Sequence, residues 1–178
     1  MLHFEKKGNG KETLVLLHGF MENLSIWNDM ETHLSKDFTL LKIDLPGHGK
    51  SDILAEIHTM EMMADEVKKV TDKENLEKFH LLGHSMGGYT SLAFAEQYPE
   101  KLKSLTLFFS TYFADDEEKK QQRIKSYRII KDSFSHYARA GIPNLFNQNE
   151  RDVLEGKIEI ALETALSTNN LGALACVK

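Results

Sequence analysis

Residues 79–101 read FHLLGHSMGGYTSLAFAEQYPEK, and the placement of Ser85 within them decides the fold. FHLLGHS is a short apolar run of strand character. GGYTSLAFAEQY, starting at Gly87, has the composition of a helix, and Pro99 ends it. Between the two stands Gly83-His84-Ser85-Met86-Gly87, a G-x-S-x-G sequence. A serine held in a tight strand-to-helix turn sits on strained backbone and needs small neighbours. Gly83, Gly87 and Gly88 supply them. Such a turn lifts the hydroxyl above the C-terminal edge of a sheet and aims the positive end of the next helix at it. The plainer reading is a glycine-rich turn that only packs a helix closely on its strand. The string alone gives fair support for a nucleophile, and its strand-turn-helix context adds more.

Further strands lie on both sides of this segment. TLVLLHGF (Thr13 to Phe20) is an unbroken apolar run ending in His-Gly, as in a strand buried on both faces. Ile26, Trp27, Met30 and Leu34 follow at helical spacing. FTLLKIDLPGHGKSD is a second buried strand that Pro46, Gly47 and Gly49 turn into a loop. Met60, Met63, Val67 and Val70 share one helix face, and LKSLTLFFS after Pro99 is a further strand. LHFEKKG at the start adds an antiparallel edge strand. Strand and helix alternating at short intervals predict an α/β fold, a mostly parallel sheet with flanking helices. Near Thr111 the character changes. Ile124, Tyr127, Ile130, Phe134 and Tyr137 recur every three or four residues, then Leu154, Ile158, Ala161, Leu162 and Ala165. The expected organisation is a core over residues 1–110 and a helical cap over 111–178.

His18-Gly19-Phe20-Met21 ends the first buried strand, where a backbone N–H can face Ser85 across the top of the sheet. The Phe20 N–H, with the Met86 N–H, makes a candidate two-donor oxyanion hole, each donor worth about 3 kcal/mol to a transition state.

With LVLLHGF, IDLPGHGKSD and LLGHSMGG in this order and spacing, the chain resembles the α/β-hydrolase fold family. The nearest group is the small esterases, cofactor-free haloperoxidases and the menaquinone-pathway synthase that share an HGF-type loop. The resemblance covers the chain to about Ser110, and the helical remainder is similar to the family's cap. It implies Ser85 as nucleophile, Phe20 and Met86 as oxyanion donors, and no cofactor. Asp44 and His48 would be structural loop residues. The family's chain order is Ser, then Asp or Glu, then His, with both partners beyond the cap. Here the sequence stops at Lys178 inside the cap-like stretch, so the core is expected to be C-terminally shortened, without its acid and base. His136 is the only histidine after Ser85, and a helix-surface or lid-lining position is expected for it. His84, His80, His18 and His48 are poor candidates for the base.

The expected activity is therefore that of a serine hydrolase acting on a small ester or related acyl substrate, incomplete in this chain. The alternatives are a catalytically silent binding or dimerisation module, or a lyase or synthase on the same fold. Trp27, Phe20, Tyr112 and Phe113 are candidate pocket walls. Net charge is −5, which leaves no basic surplus for nucleic acid. No segment has the apolar length of a membrane span or a signal peptide, so a cytoplasmic protein is expected. No His, Cys or carboxylate cluster has metal-ligand spacing. The single cysteine, Cys176, reads as a small apolar helix residue. An unpaired LKSLTLFFS edge predicts a homo-oligomer.

Overall fold

A computed structural model describes residues 1–178. In chain order the elements begin with β1 (Phe4–Lys7) and β2 (Glu12–Leu17), then a 3-10 turn (Leu24–Trp27) running into α1 (Asn28–Leu34). The central elements are β3 (Phe38–Ile43), α2 (Met60–Lys73), β4 (Phe79–His84), α3 (Met86–Gln97) and β5 (Leu102–Phe108). Beyond the sheet lie α4 (Glu117–Gly141), two more 3-10 turns, α5 (Glu155–Ser167) and α6 (Asn170–Val177). The sheet order is β1-β3-β2-β4-β5. β1 runs antiparallel to β3, and every other pairing is parallel.

The unbroken apolar run of β2 follows from its central place. Val15, Leu16 and Leu17 are wholly buried, and successive side chains enter opposite layers. Val15 and Leu17 join Leu41, Ile43 and Leu81 beneath α2 and α3, where Met63, Val67, Val70 and Phe94 close the main core. Leu14, Leu16 and Leu40 pack on the other side with Trp27, over which α1 lays Met30 and Leu34. β3 carries one exception to the apolar pattern. Lys42 is buried, and its ammonium reaches Glu31 at 2.5 Å and Asn28 at 3.3 Å, which ties α1 to the sheet. Thr59 caps α2 by accepting the Met62 N–H at 3.2 Å, so the helix begins where its apolar stripe begins.

Two features add detail to the sequence reading beyond residue 110. The stripe from Ile124 to Tyr137 is not one straight helix: Ser133 has extended backbone (φ −157°, ψ 86°) and kinks α4 there. Ile130 is buried, whereas Ile124 is exposed. The last residues form a separate helix, α6, whose Gly172 lies against Gly47 and whose Ala175 carbonyl accepts the His58 N–H at 2.7 Å. The helical region thus rests on the loops above the sheet: Ala138, Ile142 and Ala165 form a small core with Met21. At the far edge β5 pairs only with β4; Lys103, Ser104 and Thr106 are exposed along it.

Phe94 is wholly buried, with its ring 5.6 Å from Phe79 and 5.2 Å from Tyr98. Phe94→Ala is expected to lower unfolding stability by about 3–5 kcal/mol in urea titration, through lost burial and an unfilled cavity.

Candidate active site

Ser85 joins β4 to α3 at φ 49° and ψ −115°, a left-handed conformation that a non-glycine residue holds at a cost of about 1–3 kcal/mol. Its backbone is fixed on both sides. The Ser85 N–H donates to the Phe108 carbonyl at 3.1 Å. The Ser85 carbonyl accepts the Gly88 N–H at 2.9 Å and the Ser110 hydroxyl at 2.8 Å. The start of α3 is pressed against the end of β2. A Cβ on Gly87 would stand 2.5 Å from the Leu17 carbonyl oxygen and 2.6 Å from that of His18. A Cβ on Gly83 would collide with the Gly87 carbonyl. These glycines are therefore required by close backbone approach.

The loop after β2 is held by side chains that consume its polar groups one by one. The buried ring of His18 donates from Nδ1 to the Gly19 carbonyl at 2.7 Å and accepts the Leu45 N–H on Nε2 at 2.9 Å. The Met21 N–H, on a residue with φ 57°, donates to His48 Nε2 at 3.2 Å, and His48 Nδ1 donates to the Pro46 carbonyl at 3.1 Å. The Gly19 N–H donates to Glu22 Oε2 at 2.6 Å. The Phe20 N–H, between these, has no acceptor in the protein, nor does the Met86 N–H at the first turn of α3. Asp44 accepts the Leu24 N–H at 2.8 Å and the Lys50 N–H at 2.9 Å, and His3 meets it at 2.9 Å. Asp44 and His48 are thus engaged with loop backbone.

Phe20, Ser85 and Met86 line one cleft of about 680 Å³, together with Met60, Phe113 and Tyr137. Its charged lining is Lys120, Lys178 and the pair Asp115 and Arg123, which lie side by side with the guanidinium 5.8 Å from the centre of the Tyr89 ring. That pairing holds the Asp115 carboxyl below its usual range. Cys176 also reaches the cleft from α6, and burial pushes its thiol up to about 12, so it is no thiolate at neutral pH.

Two of the expected pocket walls lie elsewhere. Trp27 is buried in the core beneath α1, because its helical spacing with Met30 and Leu34 turns it toward the sheet. Tyr112 is exposed and stacks on Phe113 at 4.3 Å. None of the eight histidines lines the cleft. His136 is exposed on α4. His80 on β4 meets the Ser104 hydroxyl of β5 at 2.8 Å, and His58 accepts the Leu54 and Ala55 N–H groups. His84 meets Glu22 at 2.9 Å, a pairing that the sequence reading missed. No group of three or more His, Cys, Asp or Glu side chains is placed to hold a metal ion, and no helix is long and apolar enough to cross a membrane.

The family model described as "alpha/beta hydrolase fold" matches residues 12–139, and the chain belongs to this family. A 2-hydroxy-6-oxononadienedioate/2-hydroxy-6-oxononatrienedioate hydrolase of Paraburkholderia phymatum is 38% identical over 111 residues, which are 60% of this chain and 38% of that protein. The solved structure of a thermophilic esterase from Thermogutta terrifontis superposes with a TM-score of 0.91 at 30% identity, covering 99% of this chain and 65% of the esterase. An enol-lactonase from Burkholderia xenovorans shares the fold with a TM-score of 0.88 at 22% identity, over 98% of this chain and 67% of that one. The chain spans about two fifths of the length of the curated relatives it matches.

Burial drives the pKa of His48 down to about 3, with the neighbouring His18 adding to the effect, and burial lowers that of His18 as well. A histidine that stays neutral when folded but takes a proton when unfolded favours the unfolded state as pH falls below about 6.5. The His48 ring should therefore make stability decline from about pH 6.5 toward pH 3, by up to about 1.4 kcal/mol per pH unit, and His18 acts in the same direction. His48→Gln, which keeps an acceptor for the Met21 N–H, should make the decline shallower in urea titrations across that range.

Proposed function

We propose that this chain carries the nucleophile and the oxyanion-binding donors of a serine hydrolase acting on a small ester or related acyl substrate. The observation that supports it most directly is the meeting, in one cleft, of a strained half-buried serine and two backbone N–H groups without acceptors in the protein. In this reading Ser85 Oγ attacks the substrate carbonyl carbon and gives its proton to a base. The carbonyl oxygen becomes an oxyanion between the Phe20 and Met86 N–H groups. Collapse expels the alcohol and leaves an acyl-enzyme that water hydrolyses. Met60, Phe113 and Met86 give the acyl chain an apolar wall. Kinship with the Thermogutta terrifontis esterase favours an ester over other acyl substrates. Residues 1–110 would form the hydrolase core and 111–178 its cap.

The base and its orienting acid are the missing parts. No histidine lines the cleft, and its one carboxylate, Asp115, is taken by Arg123. We place both groups outside these 178 residues. The same census favours a second reading, a catalytically silent binding module in which Ser85 is a relic.

A fluorophosphonate probe separates the two. Intact mass and peptide mapping should find Ser85 labelled at least tenfold faster than the surface serines, with labelling abolished in Ser85→Ala. Labelling no faster than a surface serine would support the silent module. Turnover of a p-nitrophenyl ester by this chain alone should remain several orders of magnitude below that of a complete hydrolase, since loss of the base leaves roughly 10³–10⁴ of rate enhancement over water.

The open β5 edge belongs to the same proposal, as the place where a second copy pairs to form a homo-oligomer. Light scattering at micromolar concentration should give a mass above that of one chain; a monomeric mass would count against pairing.

A further inference from the structure

We propose that Glu22 and His84 form a bridge that sets the spacing between the two oxyanion donors, with Glu22 as a positioning residue. The inference rests on the Phe20 and Met86 N–H groups acting as those donors. One carboxylate oxygen, Glu22 Oε2, accepts two hydrogen bonds from opposite sides of the site. The Gly19 N–H reaches it at 2.6 Å from the loop that carries Phe20. The His84 Nδ1–H reaches it at 2.9 Å from the residue before Ser85, on the chain that carries Met86. Both are charge-assisted contacts to an ionised acceptor, stronger and more directional than neutral ones.

The contact is close enough to fix a distance. A Cβ on Gly19 would lie 2.8 Å from Glu22 Oε2, 3.0 Å from His84 Nδ1 and 3.1 Å from the Ser85 Cβ. Gly19 is thus pressed into the corner formed by the bridge and the serine, and no other residue fits there without moving one of them. On the far side of Phe20 the Met21 N–H is held by His48, and the Gly19 carbonyl by His18. The peptide units flanking the Phe20 N–H are therefore anchored, and Glu22 is the only one of these anchors that leads directly to the nucleophile turn. Neither Glu22 nor His84 lines the cleft, so neither meets a substrate there. The His84 ring packs beside Phe108 and Phe109, at 5.9 and 6.4 Å, which keeps Nδ1 turned toward Glu22.

The test needs no catalytic base. In the ¹⁵N-labelled chain, titration with butylphosphonate, whose tetrahedral oxygens are already anionic at neutral pH and need no proton transfer to bind, should shift the Phe20 and Met86 amide signals together with one Kd. Glu22→Ala and His84→Ala should each raise that Kd at least tenfold, and the double variant no further than either single one. Glu22→Gln, which keeps a side-chain oxygen for the Gly19 N–H, should bind within threefold of the wild type even if Glu22→Ala folds poorly. A Kd unchanged in Glu22→Ala or in His84→Ala, or losses that simply add in the double variant, would overturn the bridge. If neither amide signal of the wild type moves, the oxyanion-hole reading itself is wrong and the bridge goes with it.

Discussion

The close approach of α3 to the end of β2 governs the top of this molecule. Gly87 stands against the Leu17 and His18 carbonyls, and Gly83 against the Gly87 carbonyl. With those gaps closed, the only route from β4 into α3 takes Ser85 through left-handed backbone. The strain of about 1–3 kcal/mol persists because its neighbours over-determine it. β2 and β4 pair through Leu17 and Gly83, β5 holds the Ser85 N–H through Phe108, and Ser110 holds its carbonyl. Relaxing the serine would mean breaking contacts in three strands at once.

The loops around this turn use histidine as a structural part. His18, His48 and His58 each accept backbone N–H groups on Nε2, and His18 and His48 each return a proton from Nδ1 to a carbonyl. A neutral imidazole can both donate and accept, so one ring satisfies two buried backbone groups that would each cost about 1–3 kcal/mol if left unpaired. That use requires the neutral form, which burial favours by lowering the pKa of both His18 and His48. It also disqualifies these rings as general bases, since both His18 and His48 nitrogens are committed. Proximity of a histidine to a serine in sequence or space is therefore poor ground for assigning a dyad here.

The sheet was largely legible in the sequence because each strand's pattern reports its own burial. TLVLLHGF announced a central strand, and GHSMGG announced a turn whose glycines have no other use. The parts that escaped depend on contacts distant in sequence. Trp27 was a candidate pocket wall, yet its spacing with Met30 and Leu34 already placed it on the stripe that faces the sheet. Glu22 gave no signal at all: a lone acid in a loop gains meaning only when His84, 62 residues away, arrives beside it. The kink at Ser133 was hidden for a related reason. The apolar spacing continues through it, so periodicity alone reads one helix where the backbone bends at Ser133, before Ala138 and Ile142 pack with Met21.

In the proposed reading, of the two capacities a serine hydrolase needs, one is built from the segment between His18 and Ser110 and the other is not. Charge stabilisation needs fixed dipoles, and in that reading they are the backbone N–H groups of Phe20 and Met86, held by strands and a loop that this chain contains. Proton transfer needs a titratable group at hydrogen-bond distance from Ser85 Oγ, and no histidine lines the cleft that Ser85 faces. The two are energetically separable: donors of this kind are worth about 3 kcal/mol each without any base, whereas a base without them faces an unshielded oxyanion. In the proposed reading the dipoles are therefore ready before the proton acceptor arrives. They reorganise little when it does, because the glycine contacts that set them do not involve it.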